Sequence, residues 1–258
     1  MIKRISFLTL TLLLILGISR VSLHGQTSEV KEKPPMYTYV SDWNIPRAQW
    51  ADMEKAGAGT QAIFEKALAS GTLVAYGSDL NMVHQPDGAT HDTWWSAMSM
   101  AGLLHVLAEI HKSGGATSTV LSSSTKHWDS VYVSRYYNWH AGSWKDVYTH
   151  ASTYRFKADA PDDALDQLAK NMIVPLLEKQ LADGNIHEYD IDTQAVHTEA
   201  PGTFYIFYIA ANAEGLDKVS DAIRERFKAN PLSGPAFSSM TDFTAHRDEL
   251  EMTSATYK

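Results

Sequence analysis

The chain of 258 residues contains no cysteine. That excludes disulfides, thiolate metal sites, a cysteine nucleophile and a lipid-modified N-terminal cysteine. The fold must therefore be held by its core rather than by covalent staples. Nor does the sequence carry a glycine-rich phosphate loop, the paired histidines of a zinc-protease helix or a nucleophile elbow. The usual signatures of phosphoryl transfer and serine hydrolysis are thus missing. Basic runs are lacking too. Lysine and arginine number 22 against 30 acidic residues, a net charge of −8. A surface of that sign repels phosphate backbones and anionic lipid, which argues against nucleic-acid binding.

What is present begins with the first 25 residues. Lys3 and Arg4 precede an apolar run from Ile5 to Ile18, interrupted by Ser6, Thr9, Thr11 and Gly17. A basic start, a short apolar stretch and then small or polar residues form the pattern of a secretory signal peptide. The run is shorter than the ~20 residues that a bilayer-spanning helix needs. Cleavage after Ser19 or after Gly25 fits, and export to the periplasm or beyond is expected; an uncleaved anchor is the alternative. Without Lys3, Arg4 and Arg20 the chain keeps 19 basic and 30 acidic residues, so the mature charge is −11.

The remainder contains a repeat. Ile63–His84 placed over Leu176–His197, at a constant offset of 113, gives nine identities in 22 positions. They are Glu65/Glu178, Lys66/Lys179, Leu68/Leu181, Ala69/Ala182, Gly71/Gly184, Tyr76/Tyr189, Asp79/Asp192, Val83/Val196 and His84/His197. With small gaps the register extends: Tyr37-Thr38 over Tyr148-Thr149, Thr93-Trp94-Trp95 over Thr203-Phe204-Tyr205, Gly102-Leu103 over Gly215-Leu216. A unit of this length is a duplicated domain rather than a solenoid repeat.

Each copy shows the same order of signals. Tyr37–Trp43 and Tyr148–Phe156 are short, aromatic and β-branched, as strands should be. Asn44-Ile45-Pro46 and Asp159-Ala160-Pro161 predict helix starts, capped by the Asx side chain. Pro175 should bend the helix of the second copy. Gly71 and Gly184 predict left-handed helix ends. An extended stretch to His84 or His197 follows, then a turn and a nearly continuous apolar strand, Thr93–Met100 or Thr203–Ala211. Leu103, Leu104, Leu107 and Ile110 space out a second helix, as do Leu216, Val219, Ile223 and Phe227. Ser130–Tyr137 and Thr241–Arg247 are predicted as closing strands.

The order β-α-β-β-α-β is that of the ferredoxin-like unit. Two such units in one α+β chain resemble the dimeric α/β-barrel superfamily in its tandem-duplicated form, where two sheets face each other as a pseudo-dimer. The expected layout is a leader over 1–25, a flexible segment over 26–35, a first ferredoxin-like unit over 36–140 and a second over 141–258. The resemblance implies a small-molecule protein, among whose relatives are cofactor-free oxygenases, isomerases and haem enzymes. A small apolar or aromatic ligand or substrate held between the units is therefore expected. The alternatives are a non-catalytic binding protein and a structural or assembly role through exposed sheet edges. The chain should be soluble after export and open to homo-oligomer formation.

Three groups of residues are candidates for chemistry. The first is the repeated set Tyr76, Asp79 and His84 with Tyr189, Asp192 and His197. Tyr and His share parity along an extended segment, so each pair could face one pocket, with His as base or ligand and Asp fixing its tautomer. Turn chemistry at the same bend, used twice, also accounts for the His and Asp. The second is His84, His91 and Asp92, which together could gather a divalent metal; a solvated loop is the other reading. The third is the aromatic region around Trp95, Tyr137 and Trp139 with Arg135, which reads as a pocket wall and anion partner or as sheet packing. Neither haem nor a divalent metal is required by this pattern, and either is compatible with it. Expressed with its leader, the chain is expected to yield a mature protein beginning at Val21-adjacent Arg20 or at Gln26, read by intact mass; full-length protein retained in membranes would contradict export.

Overall fold

The structure is a computed structural model and describes residues 30–258. The expected leader lies outside the described residues, as does the first part of the 26–35 segment. Eight strands are joined by seven helices: β1 (Met36–Asn44), α1 (Trp50–Ser70), β2 (Ala75–Asn81), β3 (His91–Ala97), α2 (Met100–Ser113), α3 (Thr119–Ser122), β4 (Lys126–Trp139), β5 (Gly142–Arg155), α4 (Ala164–Leu168), α5 (Val174–Ala182), β6 (Ile186–Gln194), β7 (Thr203–Ala210), α6 (Ala213–Ala229), α7 (Ser233–Met240) and β8 (Arg247–Tyr257). Within each half the strand order is that of a ferredoxin-like sheet, β4-β1-β3-β2 and β8-β5-β7-β6. The halves join through β2–β8 and β4–β6, and all pairings are antiparallel. The result is a closed barrel. Closure leaves no free edge in the barrel, so the edge-mediated assembly role loses its basis.

Alternation along each strand divides the side chains into two layers. One set packs outward beneath the helices: Tyr39, Phe64, Tyr76, Trp95, Leu103 and Val106 in the first half, and Tyr136, Leu177, Leu181, Tyr189, Ile191 and Val219 in the second. The other set points into the barrel. β2 runs antiparallel to β8, β8 to β5, β5 to β7 and β7 to β6, so β2 and β6 run the same way and the β2–β3 and β6–β7 hairpin loops lie at the same barrel end. The pseudo-two-fold axis therefore runs along the barrel.

The duplication is visible atom by atom. Gly71 and Gly184 take φ of 77° and 75°, the left-handed helix end expected of them. Ser99 Oγ accepts from Gly102 N at 3.1 Å, and Asn212 Oδ1 accepts from Gly215 N at 3.0 Å. Both glycines lie where a Cβ would crowd a carbonyl oxygen, that of Thr72 or of Asn185, the residue after the left-handed glycine. The offset of 113 thus continues through β3 and β7. It pairs Trp94 with Phe207 and Trp95 with Tyr208, and the gap placing Trp94 over Phe204 is not needed.

Several local expectations are corrected. The closing strand of the second half is Arg247–Tyr257 rather than Thr241–Arg247. Helix α7 and a 3-10 turn fill the preceding stretch, and Thr241 makes only an isolated bridge to Phe156. Asn44 does not cap α1; it ends β1, and its Nδ2 donates to Gly88 O at 2.9 Å. Asp159 likewise stands before the first residue of α4 and does not cap it. Around Pro175 the chain takes a π turn over Ala169–Ile173 and resumes as α5. The wider turn absorbs the missing proline amide.

The packing at Gly215 gives a paired test. Gly215→Ala drives a Cβ into the Asn185 carbonyl and should destabilise by about 1–3 kcal/mol. Gly59→Ala, in the open middle of α1, should stabilise by up to ~1 kcal/mol. Urea denaturation of both variants reads the two signs.

Candidate functional site

Eight strands of a barrel face inward on a shared space. Here they enclose a cavity of about 140 Å³, lined from both halves. An internal void of similar size, ~150 Å³, accepts a benzene-sized guest. One end is closed by Tyr257, whose ring centre lies 5.8, 5.8 and 5.9 Å from those of Trp94, Trp139 and Trp144. At the other end Ala89, Trp128, Glu199, Arg247 and Glu249 form the mouth, beneath the two hairpin loops.

The lining is acidic to an unusual degree. Asp42, Asp79, Asp92, Glu188, Asp190, Asp192, Glu199, Glu249 and Glu251 all line the cavity, and among the described residues Arg247 at the mouth is the only basic one to do so. Six of the nine are buried: Asp79, Asp92, Glu188, Asp190, Asp192 and Glu251. They come from two places. Glu188, Asp190 and Asp192 occupy successive inward positions of β6, while Asp42, Asp92 and Asp79 stand opposite one another across β1, β3 and β2, with Glu251 beside them on β8. Trp94 Nε1 donates to Asp79 Oδ2 at 2.7 Å. Gly77 makes room for that indole, since a Cβ there would meet the Trp94 ring. Yet one oxygen each of Asp79, Asp92, Glu188, Asp190 and Asp192 has no hydrogen-bond partner.

Buried carboxyl groups without counter-ions favour their neutral form. Burial pushes Asp190 up to about 7. Burial and then Glu249 push Asp42 up to about 8. Burial also holds Glu188 and Asp192 well above the ordinary carboxylate range, with Asp190 adding to both. The cavity is therefore a cluster of protonated and near-neutral acids, with Tyr132, Tyr205, Phe207 and Trp94 as its aromatic walls.

The residues singled out from sequence are distributed between layers. Asp79 and Asp192 enter the cavity at equivalent places. Tyr76 and Tyr189 face the opposite way, beneath the helices. Tyr189 Oη donates to Glu178 Oε1 at 2.6 Å, and Tyr76 Oη accepts from Gln61 Nε2 at 3.1 Å. The retained tyrosines thus pin helix to sheet. His84 and His197 are exposed in the two hairpin loops, past the ends of β2 and β6 at Asn81 and Gln194. Shared parity fails because the strands stop before reaching them, and Tyr76 and His84 do not face one pocket. The set His84, His91 and Asp92 does not converge either. His91 places Nδ1 3.0 Å from Thr90 Oγ1 and lies edge-on to Trp50, as does His84, while Asp92 points into the barrel. Burial, with His84 nearby, lowers His91 to about 4.

Arg135 is the extra residue of a β-bulge in β4 and reaches outward to Glu32 at 3.7 Å. The registers pair Ser134 with Asp192 and Thr253 with Asp79, so the repeat matches Arg247 with Trp128 rather than with Arg135. Trp95 lies in the outer layer, stacked on Tyr39 at 4.5 Å. Tyr137 and Trp139 share the inward face of β4 with their partners Asp190 and Glu188 but sit at the closed end, outside the cavity lining, where Tyr137 donates to Pro34 O and Trp139 to Lys258 O. No histidine lines the cavity among the described residues, so this chamber offers no imidazole to a haem iron.

No family model matches the sequence, and no curated protein matches it. Solved structures do match. A protein described as a candidate monooxygenase from Lactobacillus acidophilus superposes with a TM-score of 0.58 at 12% identity, covering 87% of this chain and 97% of that one. A second, from Fusobacterium nucleatum, gives 0.59 at 7% identity over 88% and 95%. An anthrone oxidase-like protein gives 0.53 at 11% identity over 86% and 92%. The chain has the dimeric α/β-barrel fold. At these identities the likeness is one of fold, and chemistry has to be argued from the cavity.

The cavity has a pH signature. Asp190 is faced by Glu188 and Asp192 on its own strand, by Tyr137 and Phe207 on the paired strands and by Tyr257 across the barrel. Because its pKa rises from 3.8 to about 7, the folded chain holds this proton more tightly than the unfolded chain. The stabilisation is complete below the unfolded value and is lost as pH rises through the folded one. Asp190→Asn cannot ionise, so its melting temperature relative to wild type should climb between pH ~4.5 and ~7.5. Parallel melting curves across that range would contradict the assignment.

Proposed function

We propose that the chain is an exported protein that takes an uncharged small molecule into its barrel and moves a proton on it, with Asp190 as the base. Export rests on the pattern of the first 25 residues. The observation carrying the chemistry is the enclosed row Glu188, Asp190 and Asp192, each with an unpartnered oxygen. Asp190, at about 7, is divided between its two forms near neutral pH. That is where a general base works best.

Its neighbours supply the complement. A neutral carboxylic acid donates a hydrogen bond, and in an apolar enclosure such a donor stabilises negative charge developing on a substrate oxygen. The proton would pass from a substrate C–H or O–H to the Asp190 carboxylate. The oxygen gaining charge would accept from the protonated Glu188 or Asp192. The aromatic walls and the cavity volume favour a small aromatic or enolisable compound, such as a phenol or a cyclic ketone. Anionic substrates are disfavoured, since Arg247 alone offsets the acidic lining. Oxygenation without a cofactor and keto–enol isomerisation both begin with such a deprotonation; the fold neighbours described as monooxygenases are compatible with the first. A binding protein without turnover is the competing reading.

Deuterium incorporation separates the two. Incubated in heavy water with a panel of enolisable ketones and phenols, the mature chain should catalyse exchange that Asp190→Asn slows by at least ~10²-fold, as followed by NMR. Ligand binding without any exchange would favour the non-catalytic reading. Equal rates for wild type and variant would remove Asp190 from the role.

A further inference from the structure

The other acidic wall of the barrel has a different geometry. Asp79 on β2, Asp92 on β3 and Glu251 on β8 each present an oxygen to one point, and these three oxygens lie within 4.8 Å of one another. All three side chains are more than nine-tenths buried, at 5%, 6% and 8% exposure. Trp94 occupies Asp79 Oδ2, which leaves Asp79 Oδ1 free. Asp79 Oδ1 and Asp92 Oδ1 are unpartnered as carboxylate oxygens, and the carboxyl of Asp92 approaches those of both Asp79 and Glu251, a contact that needs either a shared proton or a cation between the oxygens. Asp42, paired with Asp92 across β1 and β3, stands next to the group.

The duplication sharpens this observation. Asp79 is matched by Asp192, but the residues around them differ. Asp79 pairs with Asp92, and Asp192 pairs with Tyr205. Asn81 pairs with Glu251, and its counterpart Gln194 pairs with Tyr132. In the second half, therefore, Tyr132 and Tyr205 fill the equivalent space with rings 4.7 Å apart. The first half replaces that packed aromatic pair with two carboxyl groups whose oxygens converge on a third. A neutral, well-packed solution exists in the same molecule, and this half departs from it.

We propose that Asp79, Asp92 and Glu251 form a binding site for a hard divalent cation, calcium in the first instance. The donors are carboxylate oxygens, with neither imidazole nor thiolate in the group, which selects calcium, magnesium or manganese over zinc or copper. Calcium takes oxygen ligands at ~2.3–2.6 Å in irregular geometry, so three strand-borne carboxylates converging from one side suit it better than magnesium, which demands a near-ideal octahedron. Bound there, the ion would balance charge that the barrel otherwise neutralises with protons. The site lies on the wall opposite Asp190 and stands independently of the proton-transfer reading.

Terbium is the direct probe, because Trp94 is hydrogen-bonded to a ligand and can sensitise its emission. Chelator-treated mature protein should give tryptophan-excited terbium luminescence that calcium displaces, and calcium should raise its melting temperature. Asp92→Asn and Glu251→Gln should each weaken terbium and calcium binding by at least ~tenfold, since affinity at oxygen sites follows ligand charge. Asp192→Asn, at the matched position of the other half, should leave that affinity unchanged. Should one amide variant fail to fold, the other reads the same ligand loss. Wild-type protein showing neither displaceable emission nor a calcium-dependent melting shift would overturn the site, as would amide variants that bind as tightly as wild type.

Discussion

Closing eight antiparallel strands into a barrel removes the inward-facing side chains from water, and in this chain those positions carry six buried carboxyl groups. Ionised together, they would repel one another across a few ångströms in a medium that screens poorly. Each must be neutralised by a proton, a hydrogen-bond donor or a cation. Trp94 on Asp79 is one such donor, and it depends in turn on the missing side chain at Gly77. The remaining unpartnered oxygens give the interior its chemical character: a store of protons on β6 and a convergent oxygen cluster on β2, β3 and β8. Nothing in the outer layer requires this. Helices and sheet there are held by aromatic and aliphatic packing, with Tyr189 bonded to Glu178 and Tyr76 to Gln61.

Duplication built the barrel, and divergence made its interior uneven. The halves keep their left-handed glycines, their capped second helices and their close helix–strand approaches, because these are backbone constraints that few residues satisfy. Inward positions are freer. Glu188 and Asp190 correspond to Ala75 and Gly77, and Asp92 and Glu251 correspond to Tyr205 and Tyr132. The two halves thus contribute unlike walls to one chamber, so a pseudo-symmetric scaffold holds an asymmetric site.

The architecture was legible in the sequence because the repeat fell on its backbone constraints. Gly71/Gly184 and Gly102/Gly215 mark the same turn and the same close contact twice. The closing strand β8 is less legible, since Thr241–Arg247 holds a 3-10 turn while β8 begins with the charged run Arg247-Asp248-Glu249 and sets Glu249 and Glu251 on the face opposite Leu250 and Met252. The site was less legible for a related reason. In His187-Glu188-Tyr189-Asp190-Ile191-Asp192 the alternation of acid with Tyr and Ile is that of a strand with one solvated face. Only closure turns the acidic face inward. A period-two run of acids in a strand of a presumed closed barrel was the available signal, and the retained identity of Asp79 and Asp192 was its visible part. The histidines drew notice by type, but they sit on loops beyond the strand ends.

The most direct measurement counts protons. Potentiometric titration of the chelator-treated chain without residues 1–25, folded and then in denaturant, gives the difference in bound protons at each pH. With the interior carboxyl groups neutral, the folded chain should hold several more protons than the unfolded one at neutral pH, and the excess should shrink as calcium is added. A folded chain that binds no excess protons at neutral pH in the absence of metal would show the interior acids to be ionised, and would contradict the account at its base.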